Sequence, residues 1–181
     1  MEILETKIGY TCPIFRVEER LVKYTDAFSE INYVVVRQPG VQIIALNQDL
    51  KIVLIKQFRG KNNLEKVDLV GGKINKYEVN LPEAKLQAST ELLEETGYKA
   101  QNIELLQMFD VSVNWFERKY FQFIAWDLEK VSITPVEGEE ITLFEIDPQE
   151  LVQLINSNIF EPHEEDALVK ALQLFKQKNL I

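Results

Sequence analysis

Hydrophobic and polar positions change period near Asn80, dividing the chain into a strand-rich first part and a helical middle. Residues 33–37 and 41–46 are runs of β-branched and aliphatic side chains separated by the turn signal Gln38-Pro39-Gly40. Asn47-Gln48-Asp49 breaks the chain before a further strand at residues 51–57. A short apolar piece at 67–70 runs into Gly71-Gly72, which reads as the end of a strand. From Asn80 to Thr96 the repeat becomes helical: Ala84, Ala88 and Leu92 fall at i, i+4 and i+8 and form an apolar stripe. Asn80 with Glu83 has capping-box spacing, Pro82 suits the first turn, and Gly97 suits the stop. Strands are expected again at 104–108, 120–126 and 141–146, then helices at 148–156 and 164–177. No repeat or low-complexity tract interrupts this, so residues 1–181 read as one unit: a mixed sheet with helices on its faces.

Composition narrows the chemistry. The 181 residues carry 29 acidic and 20 basic side chains, a net charge of −9, with none of the basic footprint of a nucleic-acid binder. The same balance disfavours an anionic membrane surface. No apolar run approaches the ~18 residues of a membrane span, and residues 1–10 alternate charged with apolar positions, unlike a signal peptide. A soluble, cytoplasmic protein is expected. Cys12 and His163 are the sole cysteine and histidine. They exclude a disulfide framework, a multi-cysteine zinc site and a histidine cluster, and both read as structural. Carboxylates, hydroxyls, lysines, arginines or an oxygen-held metal remain.

Glu91, Glu94 and Glu95 lie at i, i+3 and i+4, so a helix places all three carboxylates on one face. They occupy its last turns, where the macrodipole is negative and acids are disfavoured. Like charges at this spacing cost a few tenths of a kcal/mol each. A divalent cation reverses that sign, and hard cations take oxygen ligands they share with phosphate. The competing reading is a solvated acidic face. Gly71-Gly72 adds a place where a backbone carbonyl can turn toward a metal or a phosphate can approach. Glu137-Gly138-Glu139-Glu140 adds a second acidic cluster for an oxygen cage.

The stretch from Gly72 to Tyr98 resembles the signature box of the Nudix hydrolases, G-x5-E-x7-R-E-U-x-E-E-x-G-U. Gly72 through Glu78 matches its opening and Glu91-Leu92-Leu93-Glu94-Glu95-Thr96-Gly97-Tyr98 its close. Beyond the box, residues 28–36, 40–46 and 53–59 look like early strands of the ADP-ribose and nucleotide-sugar pyrophosphatase branch. Asp68-Leu69-Val70-Gly71-Gly72-Lys73 stands where that branch has E-L-P-A-G-K, and residues 151–159 and 167–174 resemble its closing helices.

The resemblance implies an α/β/α sandwich with a mixed sheet and N-terminal antiparallel strands. It implies a Mg²⁺-dependent hydrolase, with Mn²⁺ as a replacement ion, cleaving the diphosphate of a nucleoside diphosphate linked to another moiety, as in ADP-ribose or a nucleotide sugar. A nucleoside monophosphate and a sugar phosphate would result. It assigns the metal to Glu91, Glu94, Glu95 and the Gly71 carbonyl, and catalysis to Glu94 with Glu137 or Glu139 as base. Asp68 and Gly72 join the substrate site; Arg59 reads either as a phosphate grip at a strand end or as a surface arginine, and Trp115 with Phe116 either as a stack for a base or as core or interface aromatics. The resemblance also implies a homodimer through residues 1–40, and neither nucleic acid nor membrane as partner.

Two departures stand out. Eleven residues separate Glu78 from Thr90 where the pattern has seven, and Thr90 replaces the box arginine, which in the family holds a glutamate in position. Lys85 and Lys73 are candidate substitutes for that arginine. The proline marking ADP-ribose hydrolases about sixteen residues past the box is Asn114 here. These departures keep open a catalytically silent, nucleotide-sensing module and, more remotely, an interaction domain without ligand.

Overall fold

The structure, a computed structural model, describes residues 1–59, 64–131, 141–157 and 159–181, with the Arg59 side chain outside that description. Three N-terminal strands come first: β1 (Glu2–Thr11), β2 (Phe15–Thr25) and β3 (Phe28–Arg37). β4 (Gly40–Leu46), β5 (Ile52–Arg59), β6 (Leu64–Asp68) and β7 (Val70–Lys73) lead into α1 (Leu81–Thr96). The hairpin β8 (Tyr98–Val113) and β9 (Phe116–Lys130) follows, then β10 (Ile141–Ile146), α2 (Pro148–Ile155) and α3 (Pro162–Gln177). Among the described residues these ten strands make one sheet in the order β1-β2-β3-β9-β4-β5-β10, with β6 on β5, β7 on β4 and β8 on β9. β9 runs parallel to both β3 and β4; the other pairs are antiparallel.

The expected α/β/α layering is what the alternation in β4 and β9 produces. Val41, Ile43 and Ala45 of β4, with Phe121, Phe123 and Ala125 of β9, pack with Ala84, Ala88 and Leu92 of α1. Ile44 and Leu46 with Ile124 point to the other face, against Leu151 of α2 and Leu168, Leu172 and Phe175 of α3. Burying a leucine such as Leu92 contributes about 2–3 kcal/mol. α1 starts as its capping box requires: the Asn80 side chain accepts from the Glu83 N–H at 2.9 Å. It stops at Gly97, whose φ of 73° suits a left-handed cap.

Some elements differ from the expected ones. β8 and β9 extend well beyond residues 104–108 and 120–126, pairing from Tyr98↔Lys130 out to Val113↔Phe116. Their outer ends are largely unburied, and cross-strand pairing rather than burial forms them. Gly71 and Gly72 do not end a strand: both lie inside β7, opposite Gln42 and Val41 of β4. α3 begins two residues earlier than its apolar stripe, because the Glu161 N–H donates to the Glu164 carboxylate at 2.9 Å and sets the first turn.

On the α3 side the pattern places polar residues in the buried layer, and they pair with one another. Gln42 donates to Glu164 at 2.6 Å, Gln122 to Gln42 at 2.8 Å, and Gln107 to Gln122 at 2.7 Å. Gln107 then meets Asp166 and Lys170 at the surface. This amide chain crosses three strands and satisfies the buried polar atoms that would otherwise cost about 1–3 kcal/mol each.

The N-terminal strands are tied to β9 by charge. Arg20 donates to both oxygens of Glu117 at 2.7 Å and shares the buried Glu18 with Arg16. Hydrogen bonding to Arg20 holds the Glu117 carboxyl below the usual carboxylate range. Stability from that pair is therefore complete above the ordinary glutamate pKa and lost as pH falls through the depressed value. Arg20→Met is expected to cost about 2 kcal/mol at pH 7, since Glu117 is about one-third exposed. Urea unfolding should show this difference shrinking as pH falls below 4; a pH-independent difference would contradict the pairing.

Candidate active site

The acidic face of α1 packs on β7. Glu95 accepts the Gly71 N–H at 2.8 Å, so helix and strand are joined through a carboxylate. Glu91 lies flat against Gly72: a Cβ there would sit 2.1 Å from its Oε1 and 2.8 Å from its Oε2. Only a residue without a side chain leaves room for that carboxylate. Gln87, one turn before Glu91, donates to its Oε1 at 2.8 Å. Glu94 is exposed. No basic residue occupies the last turn of α1 to offset these acids.

Glu91, Glu94 and Glu95 open on a cavity of about 870 Å³. Asp68, at the end of β6, is on its wall, accepting from Gln57 at 3.1 Å and from the Leu69 N–H at 3.0 Å. The same cavity is also lined by Arg37 from the end of β3, Arg118 and Tyr120 from β9, and His163 and Glu164 from the first turn of α3. Arg118 lies over the Tyr120 ring, 4.4 Å from its centroid, and donates to the Tyr120 hydroxyl at 2.7 Å. Burial raises the Tyr120 phenol above its ordinary pKa. His163 is sandwiched between Tyr120 and Phe109, at centroid distances of 4.9 and 5.3 Å. Burial lowers its pKa below the ordinary histidine value. Burial is likewise the largest cause of the raised pKa of Glu164, and the Asp68 charge acts in the same direction. The lining thus combines the α1 carboxylates with two guanidinium groups and aromatic rings.

Of the residues expected from sequence, Asp68, Gly71, Gly72, Glu91, Glu94 and Glu95 line this one cavity. Trp115 does not: it sits 65% exposed in the β8–β9 turn beside Phe116, its carbonyl accepting the Val35 N–H. Glu137 and Glu139 lie outside the described residues, as does the Arg59 side chain. Thr90 donates to the Leu86 carbonyl at 3.1 Å and contacts no box glutamate through that bond. Among the described residues neither Lys85 nor Lys73 forms an ion pair with a box acid, and Gln87 donates to Glu91. Sequence reasoning missed Gln87, Arg37, Arg118, Tyr120, His163 and Glu164. Gln87 was findable, since it stands at i−4 to Glu91. Arg37, Arg118 and Tyr120 meet through the parallel β3–β9–β4 pairing, and His163 and Glu164 arrive with the start of α3.

The donor set fits a hard divalent cation in kind: carboxylate oxygens only, beside a glycine cradle whose space a Cβ would fill. Among the described residues the carboxylates are not drawn together into a cluster of three ligands. Glu95 is turned to Gly71 and Glu91 to Gln87. No helix among the described residues is long and apolar enough to cross a membrane.

A family model described as NUDIX domain matches residues 36–167. A methanol dehydrogenase activator of Bacillus methanolicus is 30% identical over 143 residues, 77% of this chain and 75% of its own. An ADP-ribose pyrophosphatase of Bacillus subtilis strain 168 is 30% identical over 128 residues, 68% of this chain and 66% of its own. The crystal structure of an ADP compounds hydrolase shares the fold, with a TM-score of 0.78 at 19% identity over 99% of this chain and 96% of that one. With its acidic helix face set against a glycine strand and the domain match spanning most of the sequence, the chain belongs to the Nudix hydrolase family.

Proposed function

We propose that this chain hydrolyses the diphosphate of a nucleoside diphosphate linked to a second group, ADP-ribose or a nucleotide sugar, releasing a nucleoside monophosphate and a sugar phosphate. The observation that carries this reading is that one cavity is lined both by the α1 carboxylates and by Arg37 and Arg118. A diphosphate repels hydroxide, so the reaction needs charge neutralisation and an aligned water more than a covalent nucleophile. Mg²⁺, or Mn²⁺ in its place, neutralises phosphate oxygens and acidifies a bound water. Glu91, Glu94, Glu95 and the Gly71 carbonyl are the residues that would hold it. Glu94 also serves catalysis, with Glu137 or Glu139 taking a proton from the attacking water. Arg37 and Arg118 bind the far side of the diphosphate, a task for which the planar guanidinium is suited. Asp68, Gly72 and Arg59 complete the substrate shell.

The test is a hydrolysis screen over ADP-ribose, nucleotide sugars and dinucleoside polyphosphates, with and without Mg²⁺. Mg²⁺-dependent release of a nucleoside monophosphate is expected, and Arg37→Ala should raise KM about tenfold with little change in kcat. Metal-dependent nucleotide binding with no product would select the silent, sensing alternative instead. We also propose a homodimer through the N-terminal strands, supported by the exposed Ile8, Tyr10, Phe28, Ile31 and Tyr33. Sedimentation at the monomer mass over micromolar concentrations would exclude it.

A further inference from the structure

We infer that a second cavity, sharing two arginines with the acidic one, seats the group attached to the nucleoside diphosphate, and that this group is a neutral sugar held by its hydroxyls. The inference rests on the hydrolase reading above, which supplies the diphosphate. The second cavity has a volume of about 380 Å³ and is lined from the end of β3, the segment before α1 and the outer parts of β8 and β9. That volume falls within the ~300–1,000 Å³ of small-molecule sites. Arg37 and Arg118 line both cavities. A diphosphate bound by those two guanidinium groups therefore has an end group within reach of the second cavity.

The lining says what kind of group. Arg37, Arg118 and Lys119 are matched by Glu78, Asp110 and Glu117, so no excess charge calls for a further phosphate. Glu117 is already held by Arg20 at 2.7 Å. Glu78 and Asp110 offer carboxylate oxygens, which accept from hydroxyl donors such as a sugar carries on adjacent carbons. Val36, Val79 and Val111 supply apolar surface for the C–H face of the ring. A nucleobase is served less well. Among the described residues Tyr77 is the one aromatic ring of the lining, and the Arg16 guanidinium already lies over it, 4.1 Å from its centroid. The Tyr77 hydroxyl is buried and has no hydrogen-bond partner among the described residues. Buried polar atoms are nearly always paired, and a sugar hydroxyl is a partner of the right kind.

The experiment titrates two probes, ribose 5-phosphate and AMP, by ligand-observed NMR into wild type, Ser112→Trp and Tyr77→Phe, beside thermal unfolding without ligand. Ser112 lines the second cavity and is exposed, so a tryptophan there fills space without disturbing the core. Ser112→Trp is expected to weaken ribose 5-phosphate about tenfold or more, with AMP and unfolding unchanged. Tyr77→Phe is expected to weaken ribose 5-phosphate about fivefold, with unfolding at the same or a higher temperature, because a buried hydroxyl lacking a partner is removed. Unchanged ribose 5-phosphate affinity in Ser112→Trp would overturn the inference, as would loss of AMP in its place or a wild type that binds neither probe. If wild type hydrolyses a diphosphate while Ser112→Trp binds normally, the second cavity falls and the hydrolase reading stands. If the probes behave as expected while no diphosphate is cleaved, the reverse holds.

Discussion

Glu95→Gln is expected to reduce kcat for diphosphate hydrolysis by about 10²–10³-fold, or roughly 3–4 kcal/mol of barrier. The carboxylate does two things here, and the substitution separates them. Its Oε2 accepts the Gly71 N–H at 2.8 Å, tying α1 to β7. A glutamine oxygen can accept the same bond, so the packing persists while the negative charge is lost. Thermal unfolding in EDTA should then move by no more than a few degrees. Glu94→Gln should match it in activity with still less effect on stability, because Glu94 is exposed. Initial rates at saturating Mg²⁺ check both. Turnover in either variant within threefold of wild type would remove that residue from the proposed metal shell.

The paired glycines should fail in opposite ways, and by large amounts. At Gly71 a Cβ would lie 2.2 Å from the Val41 carbonyl oxygen and 3.0 Å from the Gln42 Cα, both backbone atoms of β4. Its φ of 157° adds strain for any L side chain. Neither strand can yield without breaking the ladder, so Gly71→Ala is expected to destabilise by about 3 kcal/mol or more. At Gly72 the nearest atoms belong to the Glu91 carboxylate, at 2.1 and 2.4 Å, the far end of a flexible side chain. Gly72→Ala should push that carboxylate aside, costing at least about tenfold in metal affinity and under about 1 kcal/mol in stability. Denaturant titration beside metal calorimetry distinguishes them. Equal stability losses in the two variants would mean that the Glu91 side chain cannot move as described.

Much of the fold was legible because burial writes itself into sequence. Ala84, Ala88 and Leu92 are spaced for one helix face, and all three are fully buried. Asn80, Glu83 and Gly97 mark the ends of α1 through local hydrogen bonding, which spacing alone reveals. The box acids and Asp68 were legible for a similar reason, through their resemblance to a family pattern. The rest depends on contacts that no local period records. Residues 104–130 form far longer strands than their apolar pattern requires, because the two arms pair with each other. Arg37 and Arg118 share a wall only because β9 runs parallel to both β3 and β4. His163, read as structural, is indeed stacked between two rings, yet the start of α3 also brings it to the cavity.

The hydrogen bond between Gln42 and Glu164 spans 122 positions, and that separation has a temporal consequence. During synthesis the acid-bearing helix leaves the ribosome well before α3, so a nascent chain exposes its carboxylates to bulk water before the cavity lining is complete. Contacts between such distant segments close slowly. Competence to act is thereby tied to arrival of the helix that carries His163 and Glu164.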